Sequence, residues 1–92
     1  MKVKVRFFAG FRELLGAEVI AEASAGTSLT DLVRQVARKN PSGYGAIFDG
    51  NDNFREFVII MRNTKRVDTA VAGAIPVADG DDIAVFPPVA GG

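Results

Sequence analysis

One amphipathic stripe dominates the chain, and it is the only long helical signal among segments that otherwise look like strands. From Ser28 to Lys39, Leu29, Leu32, Val33, Val36 and Ala37 fall at i, i+3, i+4, i+7 and i+8, so they share one side of a helix. Ser28 followed by Asp31 is a variant of the capping box, in which the serine oxygen accepts an exposed amide of the first turn. Asn40-Pro41 then stops the helix. A single helix has one apolar face to bury and cannot cover both faces of a sheet. The simplest solution is one mixed sheet with the helix across one side.

The strand signals are of unequal quality. Residues 2–8 alternate: Val3, Val5 and Phe7 point one way, Lys4, Arg6 and Phe8 the other, as in a half-buried strand. Gly10 to Gly16 is a short helical turn bracketed by glycines, and residues 17–23 form a weaker strand. Ser42 to Asn53 is expected to be irregular. The run Phe57-Val58-Ile59-Ile60-Met61 is apolar throughout, which predicts a central strand or one covered on both faces. Asn63-Thr64-Lys65 is a turn into a short strand near Val67, and Asp79-Gly80-Asp81 is a second tight turn. Ile83 to Phe86 is the last strand. The expected fold is α+β, a β-grasp of four to five strands with one main helix on one face. The domain is expected over residues 1–86, with residues 87–92 as a flexible tail. The opposite sheet face is left open, and apolar residues on it need a reason to be there.

The tail itself is Pro87-Pro88-Val89-Ala90-Gly91-Gly92. Two prolines hold a segment extended and remove two backbone donors. A glycine pair ending in a carboxylate can pass backbone-first through a slot too narrow for side chains. Composition excludes most other chemistries. The 92 residues contain no cysteine and no histidine. Disulfides, thiol nucleophiles, serine–histidine triads and nitrogen or sulfur metal ligands are therefore absent. Charges balance at 11 of each sign, without the basic footprint of a nucleic-acid binder. No apolar run approaches a membrane span and MKVKVRFF is no signal peptide, so a soluble, cytoplasmic protein without membrane or nucleic-acid partners is expected.

Two site-like patterns fail. Asp49, Asn51 and Asn53 have the spacing of a calcium loop, but Phe54 replaces its glycine and Ile60 its closing glutamate. Asp79, Asp81 and Asp82 fit an acidic turn better than a cation site, and no metal site is expected. Lys2, Lys4, Lys39 and Lys65 are expected at the surface.

KVRFFAGFRELLG at the start, MRNTKRV, DGDDIAVF and FPPVAGG at the end together resemble the MoaD/ThiS family of ubiquitin-like sulfur carriers, and most of all its MoaD branch, the small subunit of molybdopterin synthase. Small archaeal modifier proteins are similar too. The resemblance implies a carrier with no catalytic side chain and no bound cofactor. Its terminal glycine, here Gly92, would be adenylated by an ATP-using partner of the MoeB/ThiF type and converted to a thiocarboxylate. Gly91 would keep the approach narrow, and Val89 and Ala90 would line the partner's channel. The sulfur would serve molybdopterin synthesis with a large, MoaE-like synthase subunit. The alternative is a modifier joined through Gly92 to substrate lysines. The family docks partners on an apolar patch of the open sheet face, matched here by Phe8 and Phe86. A third patch position, usually apolar, aligns near Arg66, which leaves room for a different partner.

Overall fold

Alternation along the first strand fixes the two faces of the sheet. In the computed structural model, which describes residues 1–88, Val3, Val5 and Phe7 of β1 (Lys2–Phe7) are buried, whereas Lys4 and Arg6 are half-buried on the other side. The remaining elements are α1 (Ala9–Leu15), β2 (Glu18–Glu22), α2 (Leu29–Ala37), α3 (Pro41–Ile47), β3 (Ile59–Arg62), β4 (Lys65–Val67), a 3₁₀ turn (Ala72–Ala74) and β5 (Asp82–Phe86). The strands form one mixed sheet in the order β2-β1-β5-β3-β4. Only β1 and β5 run parallel; the other pairs are antiparallel. This is the expected α+β, β-grasp arrangement, with five strands.

Helix α2 covers the inner face as its stripe requires. Leu29, Leu32, Val33, Val36 and Ala37 are all buried against Val3, Val5, Ile60, Ile83 and Val85 of the sheet. The Ser28 oxygen accepts the Asp31 N–H at 3.0 Å, so the capping reading holds. Full burial of each Leu or Val side chain stabilises the fold by roughly 1.5–3 kcal/mol, so this stripe contributes a substantial share of its cohesion.

Two expectations need correction. The stretch after Asn40 is not irregular at its start: Pro41–Ile47 is helix α3. Asn40-Pro41 does end α2, but the same pair begins α3. The Asn40 side chain accepts from Ser42 and Gly43 N–H groups, and Pro41 occupies a first-turn position where a missing N–H costs nothing. Ile47 and Phe48 are thereby buried in the core. Together with α1, this makes three α-helices among the described residues, although α2 alone spans the sheet.

The second correction concerns residues 57–61. β3 lies inside the sheet, between β5 and β4, but it is not covered on both faces and β5 is the central strand. Val58 and Ile60 are buried, while Ile59 and Met61 are half-buried on the outer face. Phe57 precedes the strand, is 71% exposed and has φ +68°, in the left-handed region that bulky residues avoid. The run is apolar because its outer members complete a surface patch.

The turns follow their sequences. Asn63 and Thr64 both have positive φ (49° and 71°) between β3 and β4, the two-residue geometry suited to a twisted hairpin. Gly80 takes φ +84° in the turn before β5, and its N–H donates to the Lys2 carbonyl. Asp49 caps its own loop by accepting Asn51 and Asn53 N–H groups, and no cluster of metal-ligating side chains occurs among the described residues.

Candidate functional site

The outer face can be drawn from the registers. Residues opposite one another share a face, so one row across all five strands holds Glu18, Arg6, Ala84, Met61 and Arg66. Ile20, Lys4 and Asp82 form the neighbouring row on one side. On the other side Ile59 stands opposite Phe86, and the Phe8 ring stacks on Phe86 with centroids 4.3 Å apart and planes 11° from parallel. The face is thus divided. Its β2–β1 half is charged, with Lys4 near Glu18 at 3.8 Å. Its other half is an apolar groove of about 620 Å³ lined by Phe8, Ala9, Ile59, Met61, Phe86, Pro87 and Pro88.

Phe8 and Phe86 therefore lie where parity placed Phe8, outward with Lys4 and Arg6, and they come together. Both are half-buried, since each ring covers one side of the other. Val85, beside Phe86, points into the core. Arg66 is exposed on the outermost strand β4, on the same face, opposite Met61 and outside the groove lining. Ile59 and Met61 were missed as site residues. Their signal was the unbroken apolar run, which alternation would have split into a core half and a surface half. Among the tail positions, Pro87 and Pro88 form one end of the groove. The expectations for Val89, Ala90, Gly91 and Gly92 lie outside the described residues.

The root of the tail is held by a polar anchor at the other end of β5. Buried Asp81 accepts the Ala78 N–H at 2.8 Å and the Asn63 amide at 3.0 Å, and pairs with Arg62 at 3.0 Å. The Asn63 oxygen in turn accepts the Asp82 N–H at 2.9 Å. Burial pushes the Asp81 carboxyl up, but these three partners outweigh it and hold the group below its ordinary value. The acidic turn thus fixes the register of β5, and with it the position of Phe86 and Pro87.

The geometry offers an exposed apolar groove that continues along the central strand into Pro87-Pro88. A model of the ThiS family matches residues 5–92. The chain belongs to the ThiS family. Among relatives in the ThiS family, it is 30% identical to small archaeal modifier protein 3 of Haloferax volcanii, with 100% of both chains covered. It is 32% identical to the molybdopterin synthase sulfur carrier subunit of Escherichia coli, covering 98% of this chain and 99% of that protein. The fold matches the crystal structure of SAMP1 from Haloferax volcanii with TM-score 0.86 at 22% identity, covering 100% of both chains. It also matches a chain in the complex of subunits 1 and 2 of molybdopterin-converting factor from Helicobacter pylori, with TM-score 0.65, 25% identity and 100% of both chains covered. This ThiS-family chain is thus a ubiquitin-like protein of the carrier and modifier kind, with relatives that are carriers and modifiers rather than catalysts.

Proposed function

We propose that this protein is a sulfur carrier whose Gly92 carboxylate is activated by an ATP-using partner and delivers sulfur to molybdopterin synthesis. The carboxylate would attack the α-phosphorus of ATP and expel pyrophosphate, giving an acyl adenylate. Hydrosulfide (HS⁻) delivered by a partner would then add to the acyl carbon, expel AMP and lose its proton, leaving a thiocarboxylate. A free carboxylate is a poor electrophile, and the adenylate supplies the missing leaving group. The chain need contribute no acid, base or metal to either step, in keeping with its lack of histidine and cysteine.

The observation that carries this reading is the course of β5. The central strand runs out of the core past the stacked Phe8–Phe86 pair and into Pro87-Pro88, so that a partner seated on the groove stands next to the root of the tail. The relative named as a molybdopterin synthase sulfur carrier subunit and the two-subunit assembly of the Helicobacter protein support a MoaE-like second subunit as the later partner. The division proposed is a β-grasp domain over residues 1–86 and a reactive tail over 87–92.

A second reading has its own support in the full-length likeness to a small archaeal modifier protein: Gly92 joined to substrate lysines. Both readings require adenylation and differ in the nucleophile that follows. Intact mass spectrometry of protein isolated from its own cells separates them. Replacement of a terminal oxygen by sulfur is expected for the carrier. Lysine peptides bearing a Gly-Gly remnant, absent when Gly92 is deleted, would mark the modifier. Normal function after removal of Gly91 and Gly92 would exclude both.

A further inference from the structure

We propose that the cavity between the first turn of α2 and residues 68–74 binds a small zwitterion of the amino-acid class, its carboxylate on Thr30 and Arg34 and its ammonium on Asp31. The site lies on the helix side of the sheet, away from the outer groove, and does not depend on the chemistry proposed for Gly92.

Among the described residues, the buried polar side chains are those of Ser28, Thr30 and Asp81. Ser28 accepts the Asp31 N–H, and Asp81 is bonded to Ala78 and Asn63. Thr30 is only 7% exposed, yet its hydroxyl has no hydrogen-bond partner among the described residues. Its N–H is equally unengaged there, although the neighbouring Leu29 and Asp31 N–H groups donate to the Ile75 carbonyl and the Ser28 oxygen. No sealed side-chain nitrogen or oxygen lacks a partner among the described residues, so the Thr30 hydroxyl reaches open space. The space it lines is a cavity of about 400 Å³. Gly73 keeps that space open, since a Cβ there would stand 3.8 Å from the Thr30 oxygen. A polar group at this depth calls for a partner.

The rest of the lining sets the charge of the ligand. Arg34, four residues on, shares the Thr30 side of the helix. Its guanidinium is fixed by the Asp52 carbonyl, by Asp31 at 3.0 Å and by the Phe48 ring at 5.7 Å. Asp31 stands beside it on the cavity wall. One cation and one anion leave the lining neutral, so a dianion such as inorganic phosphate meets an opposing carboxylate. A molecule with both charges satisfies both groups. The positive end of the helix and its free N–H place the carboxylate at Thr30. Thr69 and Asn53 add hydrogen-bonding groups, and half-buried Phe54 offers an apolar wall to an aliphatic side chain.

The test is a titration of isotope-labelled full-length protein with L-valine, read from amide chemical shifts. Shifts are expected at Thr30, Asp31, Asn53 and Gly73 but not at Phe8 or Phe86, with a dissociation constant of about 1 mM, as befits a ligand of this size. Isovalerate and isobutylamine each carry one of the two charges and should bind about 10-fold more weakly, with inorganic phosphate no better than either. Thr30→Val should weaken L-valine binding about 10-fold and Thr30→Ser should restore it. Gly73→Val, which fills the cavity, should abolish it. Absence of the shifts well above the expected dissociation constant, or unchanged affinity in Thr30→Val, would overturn the proposal. Equal losses in Thr30→Val and Thr30→Ser would assign the effect to packing and remove the role of the hydroxyl. Phosphate or isovalerate binding as tightly as L-valine would overturn the zwitterion and leave a simple anion site. None of these outcomes bears on adenylation of Gly92, which is measured separately.

Discussion

Phe8 and Phe86 illustrate how one residue type serves two purposes in a small domain. Phe7 and Phe11 are buried, but the Phe8–Phe86 stack lies on the outer face and contributes about 0.5–1.5 kcal/mol beyond its own area. Phe86→Asp should therefore lower the urea-unfolding free energy by no more than about 2 kcal/mol while abolishing measurable capture of the adenylating enzyme. Global unfolding of the variant would show that the stack is core and not docking surface. Asp81 is the opposite case, a charged residue whose role lies in the fold. Its folded pKa lies below the unfolded value of about 3.9, so its contribution is fully present above that pH and is lost as pH falls through the folded pKa. Asp81→Asn would turn an amide donor toward the Ala78 N–H or the Asn63 amide, both of which donate to the carboxylate. A loss of about 1–3 kcal/mol is expected at neutral pH, shrinking as the wild-type carboxyl protonates. Urea titrations at neutral pH and near pH 2 check it, and an equal gap at both would disprove the assigned role.

The elements were legible where one physical signal dominated. The α2 stripe and the alternation of β1 survive intact because burial on one face imposes a period the sequence cannot hide. Helix α3 was illegible for a local reason: two glycines, a serine and a proline in seven residues look like a loop, and its cap had already been assigned as the end of α2. Its stability comes from contacts no short window contains. The Asn40 amide donates to the Leu14 carbonyl, tying α3 to α1, and Leu15 packs onto Gly43 so closely that an added Cβ would lie 2.6 Å from its Cγ. Nothing lies within 4 Å of the same position at Gly45. The two glycines should thus respond oppositely. Gly43→Ala should destabilise by about 1–3 kcal/mol through overpacking, whereas Gly45→Ala should stabilise by up to about 1 kcal/mol through helix propensity. Chemical denaturation of the pair checks this, and equal effects would mean that α1 and α3 do not pack as described. The site was half legible for a related reason. Phe8 was found from parity within its own strand, but Ile59 and Met61 join it only through the β3–β5 register, which brings together residues far apart in sequence.

For the molecule as a whole, the decisive property is that the central strand is the last of the described elements. β5 joins the β2–β1 pair to the β3–β4 pair, and its pairing with β1 unites Lys4 with Asp82 across nearly the whole chain. Neither two-stranded half can bury the α2 stripe alone, so the sheet is completed only when residues 82–86 are in place. The strand that closes the core is also the one that runs into Pro87-Pro88, so under the proposed function a finished fold is a condition for presenting Gly92. Two truncations separate these roles. A chain ending after Asp79 should lack cooperative unfolding and show the amide chemical-shift dispersion of a disordered polypeptide. A chain ending after Pro88 retains every element described above and should unfold within about 0.5 kcal/mol of wild type, with the same urea m-value. It should bind the adenylating enzyme through the intact groove, yet release no pyrophosphate from ATP. If the shorter chain folded, β5 would not be the keystone of the sheet. If the longer one still supported pyrophosphate release, the reactive carboxylate would not belong to Gly92, and the groove would have to be assigned to some other exchange.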